Sequence, residues 1–241
     1  MDTNVDIIKT INIFKSLDDE QAIERLGQGV VESKQPKGKV FFIHGDEATR
    51  FYYIKSGWVK LFRETLDGDQ AVVDILPQGH IFGETSIFEQ DVYPYSAEAV
   101  EPCVILSFPL TNLKAEIENN NKLALAMLNA MAKYRRQQDQ EIEHRVIQNA
   151  PQRIGCFLLR LVQQDSNGAV KIHLPYDKTL LASRLGMQPE TFSRALSKLK
   201  KQTGIRVTGS TIEMDSINSL VQFSCSACSS EFPCKDLKAA E

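Results

Sequence analysis

Between Val40 and Phe108 the chain alternates short runs of β-branched and aromatic residues with glycines. The runs are Val40–Ile43, Phe51–Lys55, Trp58–Arg63, Ala71–Leu76, Ala97–Val100 and Val104–Phe108, and Gly45, Gly57, Gly68, Gly79 and Gly83 fall in the gaps. Short strands with turn signals at this spacing predict an all-β barrel or roll. Asp67-Gly68 sits between two of the runs, and both residue types tolerate the positive φ that a tight hairpin turn demands. No strand alternates with a long helical pattern here, which argues against a parallel α/β sheet. Residues 1–35 read as short helices, with Ser16 placed to cap one that ends near Leu26.

From Thr111 to about Ile147 the period becomes helical. Leu123, Met127, Met131 and Tyr134 recur at three- and four-residue steps, and Asn119 to Asn121 offer a cap. A helix this long outruns one small domain, so a partner helix is expected to cover the stripe, which makes these four residues a candidate dimer interface. Packing against the chain's own barrel is the alternative. Asn149-Ala150-Pro151 interrupts the pattern, because proline lacks a donor and restricts the residue before it. A second helix over Arg153–Gln163 follows, then a turn at Asn167-Gly168 and a strand over Val170–Leu174.

After Pro175 the spacing predicts two helices joined by a tight turn. Asp177 suits an N-cap, Ala182 is small enough for close helix packing, Gly186 suits a turn of positive φ, and Pro189 suits a first helical position. Phe192, Leu196 and Leu199 face inward at helical spacing. Gln188, Glu190, Thr191, Ser193, Arg194, Ser197 and Lys198 are left outside, with Lys178 at the start of the first helix. A recognition helix has these traits: polar residues that meet base edges and cations that meet phosphates. Arg pairs with guanine through two parallel bonds and Glu accepts from a cytosine amine. Ile205 to Met214, with Gly209-Ser210 between, reads as a hairpin wing.

The chain has 241 residues, enough for two domains, and an ordinary soluble composition of 42% hydrophobic and 24% charged residues. No apolar run approaches the roughly 18 residues of a membrane helix. Met1 to Phe14 lacks the basic and apolar segments of a signal peptide, so a cytoplasmic protein without membrane contact is expected. The net charge of −3 argues weakly against nucleic acid, but Tyr176 to Arg206 carries seven basic and two acidic residues. Five cysteines in a chain without an export signal do not predict structural disulfides, yet Cys225, Cys228 and Cys234 cluster within ten residues.

In order and content the chain resembles the CRP/FNR family of bacterial transcription regulators over nearly its full length. The resemblance rests on Tyr52-Tyr53-Ile54-Lys55-Ser56-Gly57, on Gly79-His80-Ile81-Phe82-Gly83-Glu84 and on the helix-turn-helix. It implies an α+β protein: a sensory β-roll of the cyclic-nucleotide-binding jelly-roll type over residues 1–118, a dimerisation helix over 119–148, a winged helix-turn-helix over 149–220 and a Cys-rich tail over 221–241. It further implies a homodimer on double-stranded DNA and, for an activator, a surface that touches RNA polymerase. Glu190, Ser193 and Arg194 fit the E-x-x-S-R pattern of the FNR branch, which implies TTGAT-like half-sites in an inverted repeat. Pro189 to Arg194 also looks like the nitric-oxide-responsive DNR group.

The resemblance also frames the effector. In the cyclic-AMP branch an Arg-Ser pair holds the phosphate and a Thr-Ser pair on the long helix meets the adenine. Here Gly83 and Glu84 persist, but those pairs fall on Tyr95-Ser96 and on Gln138 and Asp139, and losing the arginine removes a charge-assisted contact. Gly83, Glu84, Tyr95 and Ser96 therefore mark an effector pocket ill suited to cyclic AMP. Cys225-x2-Cys228-x5-Cys234 repeats the ligand spacing of the iron-sulfur cluster in FNR, placed at the C-terminus as in Bacillus-type relatives, with His144 where those carry a fourth ligand. Asp139, Cys156 and Cys103 are rival fourth ligands. Zinc, or thiols without metal, are the other readings of the cysteines. Haem on His80 or His44 is the reading the DNR likeness suggests. An effector-free DNA-binding dimer and a regulatory module of an enzyme remain as alternatives, although no nucleophile elbow, P-loop or metal-hydrolase motif occurs.

Overall fold

The computed structural model describes residues 3–15, 17–162, 170–173 and 178–226, and the chain divides into two compact units, residues 1–132 and 133–241.

In the first unit, helices α1 (Thr3–Thr10) and α2 (Glu20–Gly27) lead into eight strands: β1 (Val31–Gln35), β2 (Val40–Phe42), β3 (Arg50–Ser56), β4 (Val59–Glu64), β5 (Gln70–Leu76), β6 (Ile81–Phe82), β7 (Ser96–Ala99) and β8 (Cys103–Pro109). They form two four-stranded antiparallel sheets, in the orders β1-β8-β3-β6 and β2-β7-β4-β5. The expected roll is thus present, and all six strand runs read from the sequence overlap observed strands. Phe51 and Phe108 stack at 4.8 Å in its core, and Phe42 stacks on Tyr93 at 3.7 Å.

Three local readings are corrected. Residues 31–35 form strand β1, not a helix. This polar segment is an edge strand, and its order comes from pairing with β8 rather than from an apolar face of its own. Helix α2 is capped by Asp19, whose carboxylate accepts from the Gln21 amide, while Ser16 lies outside the described residues. In the β4–β5 hairpin only Gly68 adopts positive φ, at 84°, and Thr65 and Asp69 close a three-residue loop around it.

Helix α3 (Leu110–Asn119) ends at Asn120, whose side chain accepts from the Lys122 and Leu123 amides and so starts α4 (Asn121–Ile147). The predicted apolar stripe of α4 divides here. Leu123 and Met127 are buried in the roll core and are removed from the candidate dimer interface, because the roll itself supplies the cover expected from a partner. Met131 and Tyr134 remain exposed, as do Leu125, Leu128, Ile142, Val146 and Ile147.

The second unit contains the end of α4, then α5 (Ala150–Leu161), β9 (Val170–His173), α6 (Lys178–Arg184), α7 (Pro189–Thr203), β10 (Arg206–Thr208), β11 (Thr211–Met214) and α8 (Asn218–Cys225). Asn149 and Gln152 form a reciprocal capping box that begins α5 just after α4 ends. The wing is a three-stranded antiparallel sheet in the order β10-β11-β9. Residues 221–225, expected as tail, belong to α8, which buries Leu220 and Ser224. Among the described residues no helix is long and apolar enough to cross a membrane.

Candidate nucleic-acid interface

Helix α6 ends in a closed turn. The Gly186 amide donates to the Ser183 carbonyl and the Met187 amide to the Ala182 carbonyl, each at 2.9 Å, with Gly186 at φ 62°. Pro189 then opens α7 and Gly204, at φ 74°, closes it. The apolar side of α7, Phe192, Ala195, Leu196 and Leu199, is buried. Its other side presents Glu190, Thr191, Ser193, Arg194, Ser197 and Lys198, with Gln188 just ahead and Lys178 at the start of α6, all exposed. Ser193, Arg194, Ser197, Lys198 and Lys201 border one groove. The Ser197 hydroxyl donates to the Ser193 carbonyl at 2.9 Å, so it offers only its lone pairs outward. The cap Asp177 lies outside the described residues.

The roll treats the four effector-pocket residues unequally. Gly83 adopts φ 84°, with the Tyr93 ring 3.2 Å from where a Cβ would stand, which makes it a turn residue. Glu84 begins the short helical turn Glu84–Phe88, and burial pushes its carboxyl up to about 7. Tyr95 is half-buried, with the Arg63 guanidinium 5.8 Å from its ring centre. Ser96 is buried and its hydroxyl accepts from the His44 amide at 3.0 Å, so it faces the protein rather than an opening. His44 is exposed in a turn and His80 sits in another; among the described residues neither belongs to a group of three or more histidine, cysteine or acidic side chains that could hold a metal.

In the second unit His144 Nδ1 and Cys156 Sγ lie 3.7 Å apart on the wall of a cavity of about 40 Å³. Burial, then the Arg160 charge, lowers the His144 imidazole and favours its neutral, ligand-competent form. Helix α8 brings Cys225 to the same unit, and Gln152 Nε2 on α5 donates to Ser226 Oγ at 3.1 Å. Cys228 and Cys234 lie outside the described residues. Among the described residues no three histidine, cysteine or acidic side chains gather around one point. The thiol–imidazole pair nevertheless fits a soft metal in donor type. Two rival ligands fare differently. Asp139 is exposed and pairs with Arg135 at 3.1 Å, and Cys103 is buried against Gly57, its thiol pushed up to about 11 by burial.

The sequence reading missed a buried ion cluster in the second unit. Glu141 on α4 accepts from Arg184 on α6 and from Arg160 on α5, contacts 43 and 19 residues apart in the chain, so no local spacing signals them.

Residues 32–120 match the cyclic nucleotide-binding domain family and residues 152–223 the Crp-like helix-turn-helix domain family. The cyclic AMP receptor protein of Thermus thermophilus is 30% identical over 179 residues, 74% of this chain and 81% of the relative. The anaerobic regulatory protein of Haemophilus influenzae is 26% identical, over 84% of this chain and 80% of its own length. The structure of FixK2 from Bradyrhizobium japonicum superposes with a TM-score of 0.70 at 20% identity, covering 79% of this chain and 95% of that one, which supports the fold. These matches span both halves in the order seen here, and the chain belongs to the CRP/FNR family of DNA-binding transcription regulators, which are not enzymes.

Proposed function

We propose that the protein is a cytoplasmic homodimer that binds inverted repeats of TTGAT-like half-sites, under control of an iron-sulfur cluster that responds to oxygen, redox state or nitric oxide. The observation that carries the DNA reading is the split face of α7: four apolar residues anchor it while Gln188, Glu190, Ser193, Arg194 and Lys198 stand exposed, the last three of them beside one groove. Glu190 and Arg194 lie on neighbouring turns, as a pair reading adjacent bases requires. The exposed residues Leu125, Leu128, Met131, Ile142 and Val146 on α4 support a paired helix in the dimer.

Tyr95 in place of a phosphate-binding arginine, and Ser96 engaged by His44, speak against a cyclic nucleotide in the roll. The C-terminal cysteines are the better sensor. Cys225, Cys228 and Cys234 would hold the cluster with His144 as fourth ligand, and its neighbour Cys156 is the nearest competitor. When bound, such a cluster supplies an oxygen-labile charge and crosslink.

Fluorescence anisotropy with a TTGAT palindrome tests the DNA reading. Arg194→Ala is expected to cost about 1–3 kcal/mol, concentrated at one base position; equal affinity for palindrome and scrambled duplex in the wild type would defeat it. Anaerobic purification followed by absorbance spectroscopy tests the cluster. A broad band lost in Cys225→Ser supports it, a sharp Soret band points to haem, and a colourless protein that binds DNA equally with and without air refutes control by a cluster.

A further inference from the structure

Among the described residues of the second unit, Glu141 is a largely buried acid set among arginines. Arg184 Nη2 donates to Glu141 Oε1 at 2.6 Å and Arg184 Nη1 to Oε2 at 2.8 Å, while Arg160 Nη1 donates to Oε1 at 3.1 Å. The side chains of Glu141 and Arg184 are only 15% and 10% exposed. Three helices meet at this carboxylate: α4 supplies Glu141, α5 Arg160 and α6 Arg184. Arg153 and Arg145 border the same cavity, and Arg153 Nη1 donates to the Leu185 carbonyl at 3.4 Å.

Its position along the chain gives the cluster its meaning. Arg184 is the last residue of α6, five residues before Pro189 opens α7. The fork therefore grips the first helix of the helix-turn-helix at the end from which the recognition helix departs. A buried ion pair adds little stability over an apolar replacement, since desolvating two charges offsets most of their attraction. Two parallel bonds between planar groups do fix distance and rotation together. Such a contact sets orientation more than it holds the fold together.

We propose that Glu141 is a positioning residue for DNA recognition: through Arg184 it fixes the angle at which the helix-turn-helix leaves the end of α4. In a dimer joined along α4, that angle decides whether two recognition helices meet successive major grooves about 34 Å apart. This rests on the homodimer reading above. A misaimed domain still recognises one half-site but loses the second, intramolecular contact.

The test measures binding of the full-length dimer to a TTGAT palindrome and to a duplex with one half-site. Glu141→Gln keeps shape and removes charge; Arg184→Lys keeps charge and removes the fork. Each is expected to weaken palindrome binding roughly tenfold or more while half-site affinity stays within about twofold. The palindrome variants with one base pair added or removed between half-sites should then be discriminated less sharply than by wild type. A domain that merely loses stability would lower both affinities in parallel, and that result, or wild-type behaviour in both variants, overturns the inference. If Glu141→Gln fails to fold, Arg184→Lys alone decides by the same ratio. A wild type that does not prefer the palindrome to the half-site defeats the dimer reading instead, independently of either variant.

Discussion

Gly155 on α5 and Ser224 on α8 meet without room for one more carbon: a Cβ built on Gly155 would stand 2.0 Å from Ser224 Oγ and 3.2 Å from both Ser224 Cβ and Leu220 Cδ1. This contact docks the helix that ends in Cys225. Ser224 is fully buried, and its hydroxyl has no hydrogen-bond partner among the described residues. Gly155→Ala should therefore cost about 1–3 kcal/mol of stability through overpacking. Ser224→Ala should be neutral or slightly stabilising, because it removes a buried hydroxyl that has no partner among the described residues. The double variant should recover most of the Gly155→Ala loss, since the offending oxygen is gone. Thermal melts of the three proteins form a double-mutant cycle, and additive effects would show that the two positions do not interact.

What was readable in the sequence follows from the range of each interaction. Strands β3, β4, β5 and β8 carry their own apolar faces, and the α6–α7 turn depends on Gly186 and Pro189 within four residues, so both were legible locally. Strand β1 was not, because its polar residues are ordered by β8 some seventy positions away. Leu123 and Met127 were legible as a buried face but not as to what covers them; roll and partner helix demand the same side chains. The exposed side of α7 followed from which of its positions are apolar. Glu141 and its two arginines, and the pairing of His144 with Cys156, join helices whose packing no local period encodes.

The division of the α4 stripe makes two kinds of substitution separable. Leu128 and Ile142 are 58% and 59% exposed, whereas Leu123 is fully buried in the roll. Leu128→Glu or Ile142→Glu should shift sedimentation from dimer toward monomer with little change in the melting of the roll, because a charge is placed where a partner helix would pack. Leu123→Ala should do the reverse. It leaves a core cavity worth roughly 2–5 kcal/mol while the association state persists at temperatures where the protein is folded. A Leu128→Glu protein that sediments as wild type would remove α4 as the dimer face.

Glu84 gives the roll a pH dependence with a definite sign. Burial lifts its carboxyl from 4.5 to about 7, against a smaller opposing contribution from its own backbone amide. The folded state therefore holds a proton that the unfolded chain releases between these two values. The favourable contribution is fully present below the unfolded value and is lost as pH rises through about 7, after which the ionised carboxylate is carried at a cost of roughly 3 kcal/mol at most. Glu84→Gln imitates the protonated form, so it should match the wild type near pH 4.5 and exceed it in melting temperature at pH 8. Other carboxylates, among them Glu141, titrate in both proteins, so the difference between variant and wild type isolates this one group. The stretch around Glu84 packs where Gly83 lets the chain turn beside Tyr93, so the same comparison made on Gly83→Ala should show a loss at every pH, from backbone strain rather than charge. A Glu84→Gln melting difference that stays constant from pH 4.5 to 8 would mean that the carboxyl ionises in the folded roll as it does in the unfolded chain.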